Sequence, residues 1–314
     1  MAIWGYCKMS YEPSILEGDC DKVLSELPKN APHLVPLHLT FLDPPFNQNK
    51  DYHNHDDNLP PQEYWEWMTR ICRQVYELTE DGGAMYFMQR EKNTSFVLKA
   101  LADAGWVLQN IIIWKKKTSA VPQVYRYGKQ YQVIAFAAKG DKPRLFNRLR
   151  IDLPLEPNQK EPRENGVYVT DVWDDIRELT SGFFAGDEAI RDKGTSKRAH
   201  EQQAPIALLL RIILSSSRVG DHVLDPFSGT GTTNIVATQV CRHNIGIEKS
   251  PANCNLIHKR LVESRKSDDV TRYYSYYRFT PNLDSIWPAK LAPKKRTLDK
   301  YLPQSPEDAD LKQE

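Results

Sequence analysis

Short apolar runs, each cut off by proline or glycine, alternate along this chain with longer stretches of helical periodicity. His38–Asp43 (HLTFLD) is largely apolar, with a β-branched and an aromatic member, and stops at Pro44-Pro45, where a strand ladder cannot continue. Pro61–Leu78 then carries Tyr64, Trp67, Met68, Ile71, Val75 and Leu78 at helical spacing. Proline opens that stretch and Asp81-Gly82-Gly83 closes it. Ala84–Met88 reads as a strand, Phe96–Ala104 as a helix ending at Gly105, and Val107–Trp114 and Val133–Ala138 as two further strands. Further on, an apolar helix runs through Ile206–Leu214, then a strand over Val223–Phe227, a helix over Asn234–Cys241, a strand over Asn244–Glu248 and a helix over Pro251–Arg265. Strands alternating with helices predict a mostly parallel sheet covered on both faces. Such sheets bind ligands beyond the carboxyl ends of their strands.

The interval Asp141–Lys197 breaks the rhythm. It has prolines at 143, 154, 157 and 162, many charges, and only short apolar pieces such as Val167–Val169, so it reads as an inserted module. Beyond Ser267 the chain is rich in tyrosine and proline, then charged, and its last dozen residues read as disordered.

The 314 residues suffice for one large α/β domain with insertions or for two modest ones. No run approaches the roughly 20 apolar residues of a membrane helix. Met1–Ser10 lacks a basic segment followed by an apolar run, so no secretory signal is expected. The five cysteines stand singly, with no C-x-x-C pair, which argues against a disulfide framework or zinc and for a reducing cytoplasm. Net charge is only +1, but cations cluster at Lys115–Lys117, between Lys139 and Arg150, and between Arg191 and Arg198. Such clusters can neutralise phosphates, although any one of them also describes an ordinary solvated face.

Two loops carry chemistry. Asp225-Pro-Phe-Ser-Gly-Thr-Gly-Thr-Thr233 follows a buried strand and opens a helix, and glycine there lets backbone approach a ligand closely. A phosphate-binding loop would need Gly-Lys-Ser/Thr, and no lysine is present. A dinucleotide fingerprint would need a third glycine where Asn234 stands. A nucleoside cofactor without pyrophosphate, such as S-adenosylmethionine, needs neither, and Glu248 at the end of the next strand suits a ribose. A plain structural turn is the bland alternative.

The other loop is Asp43-Pro44-Pro45-Phe46. A nucleobase amino nitrogen is a poor nucleophile because its lone pair is delocalised into the ring. Two acceptors on its N–H bonds, the Asp43 carboxylate and the Pro44 carbonyl, would favour a tetrahedral, more reactive nitrogen. The prolines fix φ and hold that carbonyl rigidly. Phe46 offers a face on which an extruded base can stack. Taken alone, the same residues describe a rigid turn with an N-cap aspartate. His53, His55, Asp56 and Asp57 superficially suggest a metal site, but the chemistry needs none.

With these motifs in this order, the sequence resembles the amino-methylating DNA methyltransferases of restriction–modification systems. It is closest to their β group, in which the catalytic motif precedes the cofactor loop. The resemblance runs from about Leu16 to Arg265. It implies an α/β, Rossmann-like S-adenosylmethionine-dependent methyltransferase fold: a mostly parallel seven-stranded sheet with one antiparallel strand, permuted motif order and an inserted target-recognition region. The implied organisation is a catalytic half (1–140), a recognition insertion (141–197), a cofactor-binding half (198–266) and a C-terminal tail (267–314).

The resemblance also implies site residues. Asp43, Pro44, Pro45 and Phe46 match the catalytic motif, with Phe46 where tyrosine is commoner. Asp225, Phe227, Gly229, Gly231 and Thr232 match the cofactor loop, and Glu248 the acid on the ribose. Asp19, in Gly18-Asp19 ahead of Leu24 and Leu27-Pro28, resembles an element near the adenine. Gln203 and Pro205 belong to an element read here as His200-Glu-Gln-Gln-Ala-Pro205, in which Ala204 replaces the usual lysine. Candidates for contact with DNA are Lys115, Lys116, Lys117, Arg144, Arg148 and Arg150. Tyr125, Arg126, Tyr127 and Lys129 form a second aromatic–basic group, equally readable as a strand hairpin.

The expected partner is double-stranded DNA, with a homodimer and a cognate restriction endonuclease as partners such systems admit, in a prokaryotic cytoplasm. Beginning the motif with Asp43 rather than serine favours adenine N6 over cytosine N4. The absence of a Pro-Cys dipeptide argues against cytosine C5. An RNA methyltransferase, a nicotinamide-dependent oxidoreductase and a catalytically silent DNA-binding protein are the alternatives.

Overall fold

The computed structural model describes residues 13–47, 51–52, 55–56, 59–118, 120–122, 124–153, 163–179, 187–190, 203–263 and 265–288. In chain order the elements are β1 (Ser14–Glu17), α1 (Cys20–Asn30), β2 (Leu37–Leu42), β3 (Asp51–Tyr52), β4 (His55–Asp56), α2 (Pro61–Leu78), β5 (Thr79–Gln89), α3 (Thr94–Asp103), β6 (Trp106–Lys115) and β7 (Tyr131–Lys139). There follow β8 (Arg150–Ile151), β9 (Val167–Tyr168), β10 (Val172–Trp173), α4 (Ile206–Ser216), β11 (His222–Asp225), α5 (Thr232–Gln239), β12 (His243–Glu248), α6 (Pro251–Val262) and α7 (Leu283–Ile286).

One sheet of eight strands, ordered β1-β12-β11-β2-β5-β7-β6-β10, organises the molecule. Only β7 runs antiparallel, between β5 and β6. The resemblance implies seven strands; the eighth is β10, contributed by the 141–197 interval and paired in parallel with the end of β6. Side chains alternate across the sheet as pleating requires. Met85 and Phe87 of β5 pack on the face covered by α1, α2 and α3. Ala84, Tyr86 and Met88 face α4, α5 and the C-terminal turns. A register shift between Leu37 and Leu39 lets β2 send these two residues to opposite faces.

The interval expected to be a separate module is, in its described parts, woven into the fold. Leu149, Ile151, Trp173 and Ile176 are core residues. The fully buried Arg211 of α4 donates to Asp175 (Nη1 to Oδ1, 2.9 Å), while Tyr276 also donates to that carboxylate. Glu178 accepts the backbone N–H groups of Lys117 and Thr118 at 2.9 Å each. The segment after Ser267 also packs inward: Val270, Tyr277, Leu283, Ile286 and Trp287 are buried, and Arg242 donates to the Ile286 carbonyl at 2.5 Å. Among the described residues, no helix is long and apolar enough to cross a membrane. The Arg191–Arg198 cations, the side chains of His53–Asp57 and the last dozen residues lie outside the described residues.

Candidate active site

β2 and β11 are parallel neighbours, and β11 lies beside β12. The two motifs therefore leave the same edge of the sheet side by side. Asp43 follows β2, Asp225 ends β11 and Glu248 ends β12, so three carboxylates line one end of the sheet. Burial, and then the charge of Asp225, push the Asp43 carboxyl well above the usual carboxylate range, while Lys116 pulls it back. Asp225 is itself raised to about 6 by burial and Glu248, against a hydrogen bond from the Thr233 hydroxyl and another from the Phe227 N–H at 3.0 Å. Glu248, raised by burial, accepts the N–H groups of Gly229 and Ser250 at 2.8 Å each.

The loop is built around its glycines. Gly231 sits at φ 79°, where a Cβ would also lie 2.7 Å from Ile257. Asn234, in place of a third glycine, bonds Asn244 at 3.2 Å and lies against Gly246, where a Cβ would meet its Nδ2 at 2.6 Å. Arg260, buried and paired with Asp268 (2.9 Å), donates to the Thr230 carbonyl and so fixes the loop from below. The Thr232 Oγ1 is buried without a hydrogen-bond partner.

Sequence reasoning missed the supports of the catalytic motif. Tyr64, buried on α2, donates from its hydroxyl to the Pro45 carbonyl at 2.7 Å. Gln89 at the end of β5 donates to that hydroxyl at 3.1 Å. Asn47, in the left-handed region at φ 52°, clamps the Leu59 backbone with both ends of its amide at 2.7 and 2.8 Å. That clamp closes the base of the loop that follows the motif. Tyr64 stands out in the sequence only as one of several apolar-face residues of α2.

The other expected residues fall in several places. Phe46 is only 3% exposed, so the ring expected to receive a base is covered in this conformation. Asp19 caps α1 by accepting the Asp21 N–H at 3.1 Å, and its other oxygen lies 3.6 Å from Lys249, next to Glu248. Asp19, Leu59, Trp67 and Lys249 line a groove there, and the Trp67 ring meets Phe227 edge-on at 5.6 Å. Gln203 uses its amide on the backbone of Glu188 (3.1 Å) and Ile190 (3.0 Å), and Pro205 is the N-cap of α4.

The six cations expected to meet DNA do not form one surface. Lys115, Lys116 and Lys117 lie at the carboxyl end of β6, the end that carries Asp43. Arg148 and Arg150 flank the Tyr168 ring at 5.6 and 4.4 Å. Arg144 lies at the opposite, amino end of the sheet, in ion pairs with Glu80 (3.2 Å) and Asp221. This placement corrects the expectation for Arg144: its charge is spent inside the fold.

The family model described as DNA methylase, for N6 and N4 methyltransferases, matches residues 37–259. The chain belongs to this DNA methylase family. The type II methyltransferase M.HpaI of Haemophilus parainfluenzae is 30% identical over 241 residues, covering 76% of the methylase described here and 71% of M.HpaI. The DNA adenine methyltransferase YhdJ of Escherichia coli (strain K12) is 28% identical over 275 residues, 83% of this methylase and 84% of YhdJ. Among solved structures, the DNA modification methylase TTHA0409 of Thermus thermophilus, complexed with S-adenosyl-L-methionine, shares the fold. Its TM-score is 0.53 at 21% identity, over 81% of this methylase and 98% of that chain.

Proposed function

We propose that this methylase transfers a methyl group from S-adenosylmethionine to the N6 amino group of adenine, at a specific site in duplex DNA, with the target base extruded from the helix. The observation that carries this reading is the adjacency of Asp43, after β2, to the glycine loop and Glu248, after β11 and β12. The residues present fit the cofactor. Gly229 and Gly231, both at positive φ, leave room for close approach, the unpartnered Thr232 hydroxyl can take a hydrogen bond, and three clustered carboxylates suit a cationic ligand. The groove at Asp19, Trp67 and Lys249 suits the adenine part. Bound there, S-adenosylmethionine supplies an electrophilic methyl group on a positively charged sulfur.

The protein's own part is orientation and proton handling. The Asp43 carboxylate accepts one N–H of the target amino group and the Pro44 carbonyl the other, drawing the nitrogen lone pair out of conjugation. Asp43 Oδ then holds the proton that the nitrogen sheds. Tyr64 and Gln89 keep the motif still while this happens. Stacking of the base on Phe46 requires that ring to be uncovered as DNA binds.

Adenine is favoured over cytosine N4 because the motif begins with Asp43, and by the likeness to YhdJ; cytosine N4 is the second reading, since the family model spans both. Sequence recognition by the 141–197 interval, a homodimer and a cognate endonuclease belong to the same proposal, supported by resemblance to type II systems. The test is transfer from isotopically labelled S-adenosylmethionine to unmethylated duplex DNA, followed by nucleoside analysis. Label in N6-methyladenine is expected. Label in N4-methylcytosine overturns the base assignment, and no label in DNA overturns the reading.

A further inference from the structure

We propose that the hairpin arm between β6 and β7, residues 116–130, grips duplex DNA beside the active site, its Tyr125 and Tyr127 stacking on bases exposed when the target is extruded. This rests on the DNA reading above and adds to it an element that the recognition interval does not contain.

The arm is built, not slack. Lys116 N–H donates to the Gln130 carbonyl at 2.7 Å and Ala120 N–H to the Lys129 carbonyl at 2.9 Å. At Gly128 a Cβ would lie 2.1 Å from the Ala120 carbonyl oxygen, so the two limbs touch there. Because β6 runs parallel to β5 and β2, the arm leaves the sheet at the edge that carries Asp43.

Its tip is unusual in what it leaves in water. Val121, Val124, Tyr125 and Tyr127 are the four most exposed large hydrophobic side chains among the described residues, the two tyrosines at 94% and 97%. Isolated exposed apolar residues need no explanation, but four on one hairpin do. Tyrosine faces stack on bases without regard to sequence, and the gap left by an extruded base is a place for such a face.

The charges around the arm select a polyanion. Lys129 lies 2.8 Å from Glu91, on the turn after β5 that also carries Arg90 and Lys92. Burial, then Arg90 and Lys129, hold the Lys92 ammonium below its ordinary lysine value, and Arg126 adds to the effect. Four cations are thus crowded around a single acid. Phosphates relieve that crowding, whereas a second copy of the arm would add to it. At the root of the arm, the Lys116 charge is felt at Asp43.

The experiment compares the full-length protein with the double variant Y125A/Y127A and with R126A. It measures binding to unmethylated duplex DNA over a range of salt, kcat/KM for methyl transfer, S-adenosylmethionine affinity and Tm. The expected result is a loss of roughly 10-fold or more in DNA affinity and kcat/KM for Y125A/Y127A, with cofactor affinity and Tm unchanged. R126A is expected to reduce the slope of log affinity against log salt by about 1. If the wild type methylates duplex DNA and both variants match it in affinity, rate and salt slope, the arm proposal falls and the function stands. If the wild type transfers to RNA and not to duplex DNA, the functional reading falls and this one with it.

Discussion

A carboxylate lodged beside a second one costs folding free energy, and Asp43 is so placed next to Asp225. Its pKa is raised in the folded protein, so the native state holds the proton more tightly than the unfolded chain. The cost of ionisation is therefore felt above the raised pKa and relieved as pH falls through it. Asp43→Asn should abolish transfer yet raise Tm at pH 8, with the gain shrinking towards pH 5; each kcal/mol would appear as about 2 °C in a chain of this size. Thermal melts at the two pH values check this, and an unchanged or lower Tm at pH 8 would contradict it. By the same shift, the single-turnover rate should fall on acidification while ordinary carboxylates are still ionised. Tyr64→Phe keeps the buried ring and removes only the hydroxyl bond to Pro45. It should lower kcat about 10-fold, in line with losing one hydrogen bond that is worth about 1 kcal/mol, while KM for S-adenosylmethionine stays put. A fall in cofactor affinity instead would assign Tyr64 to the cofactor pocket.

At the scale of elements, what could be read in advance was whatever local pattern decides. Helix α2 spans Pro61–Leu78 as its periodicity and flanking breakers predict, and β2 and β7 fall within a residue or two of their apolar runs. Helix α1 escaped because Pro28 lies inside it, and β1 and β10 because four and two residues carry no periodicity. The Tyr64–Pro45 bond joins residues 19 positions apart, and nothing in either segment's composition announces it. The recognition interval misled for a related reason: its short apolar pieces look like loop, yet they are anchored by a long-range ion pair. Arg211 and Asp175 are 36 positions apart. Breaking such a pair from one side leaves a buried charge uncompensated, at about 3–5 kcal/mol. Arg211→Ala should destabilise the protein by that order in denaturant titration; a change under about 1 kcal/mol would show that the interval is not held by this contact.

Across the whole molecule, the two ends of the sheet are differently equipped. The carboxyl edge gathers acids around the site and cations on the arm. The amino edge lines up His38, His222 and His243 on β2, β11 and β12, with ring centroids 5.4 and 4.9 Å apart. Burial lowers the pKa of both His38 and His243; Asp221 and Glu80 oppose the shift at His38, and Arg144 and His222 reinforce it. The native state thus resists protons that the unfolded chain takes up near pH 6.5. Stability contributed above that pH is lost as pH falls below it. Melting temperature should therefore drop between about pH 6.5 and 5, and His38→Gln should flatten that slope. A slope identical to wild type would remove His38 from the account.

The pairing of β2 with β11 also has a consequence in time. The His222 N–H that donates to His38 comes 184 positions later in the chain. At the usual pace of synthesis the ribosome needs on the order of 10 to 40 seconds to cover that distance. During that time Asp43 has been made but its neighbouring strand has not. A nascent fragment therefore carries the reactive motif without the loop that would arm it, and an interrupted translation product has no means of marking a chromosome.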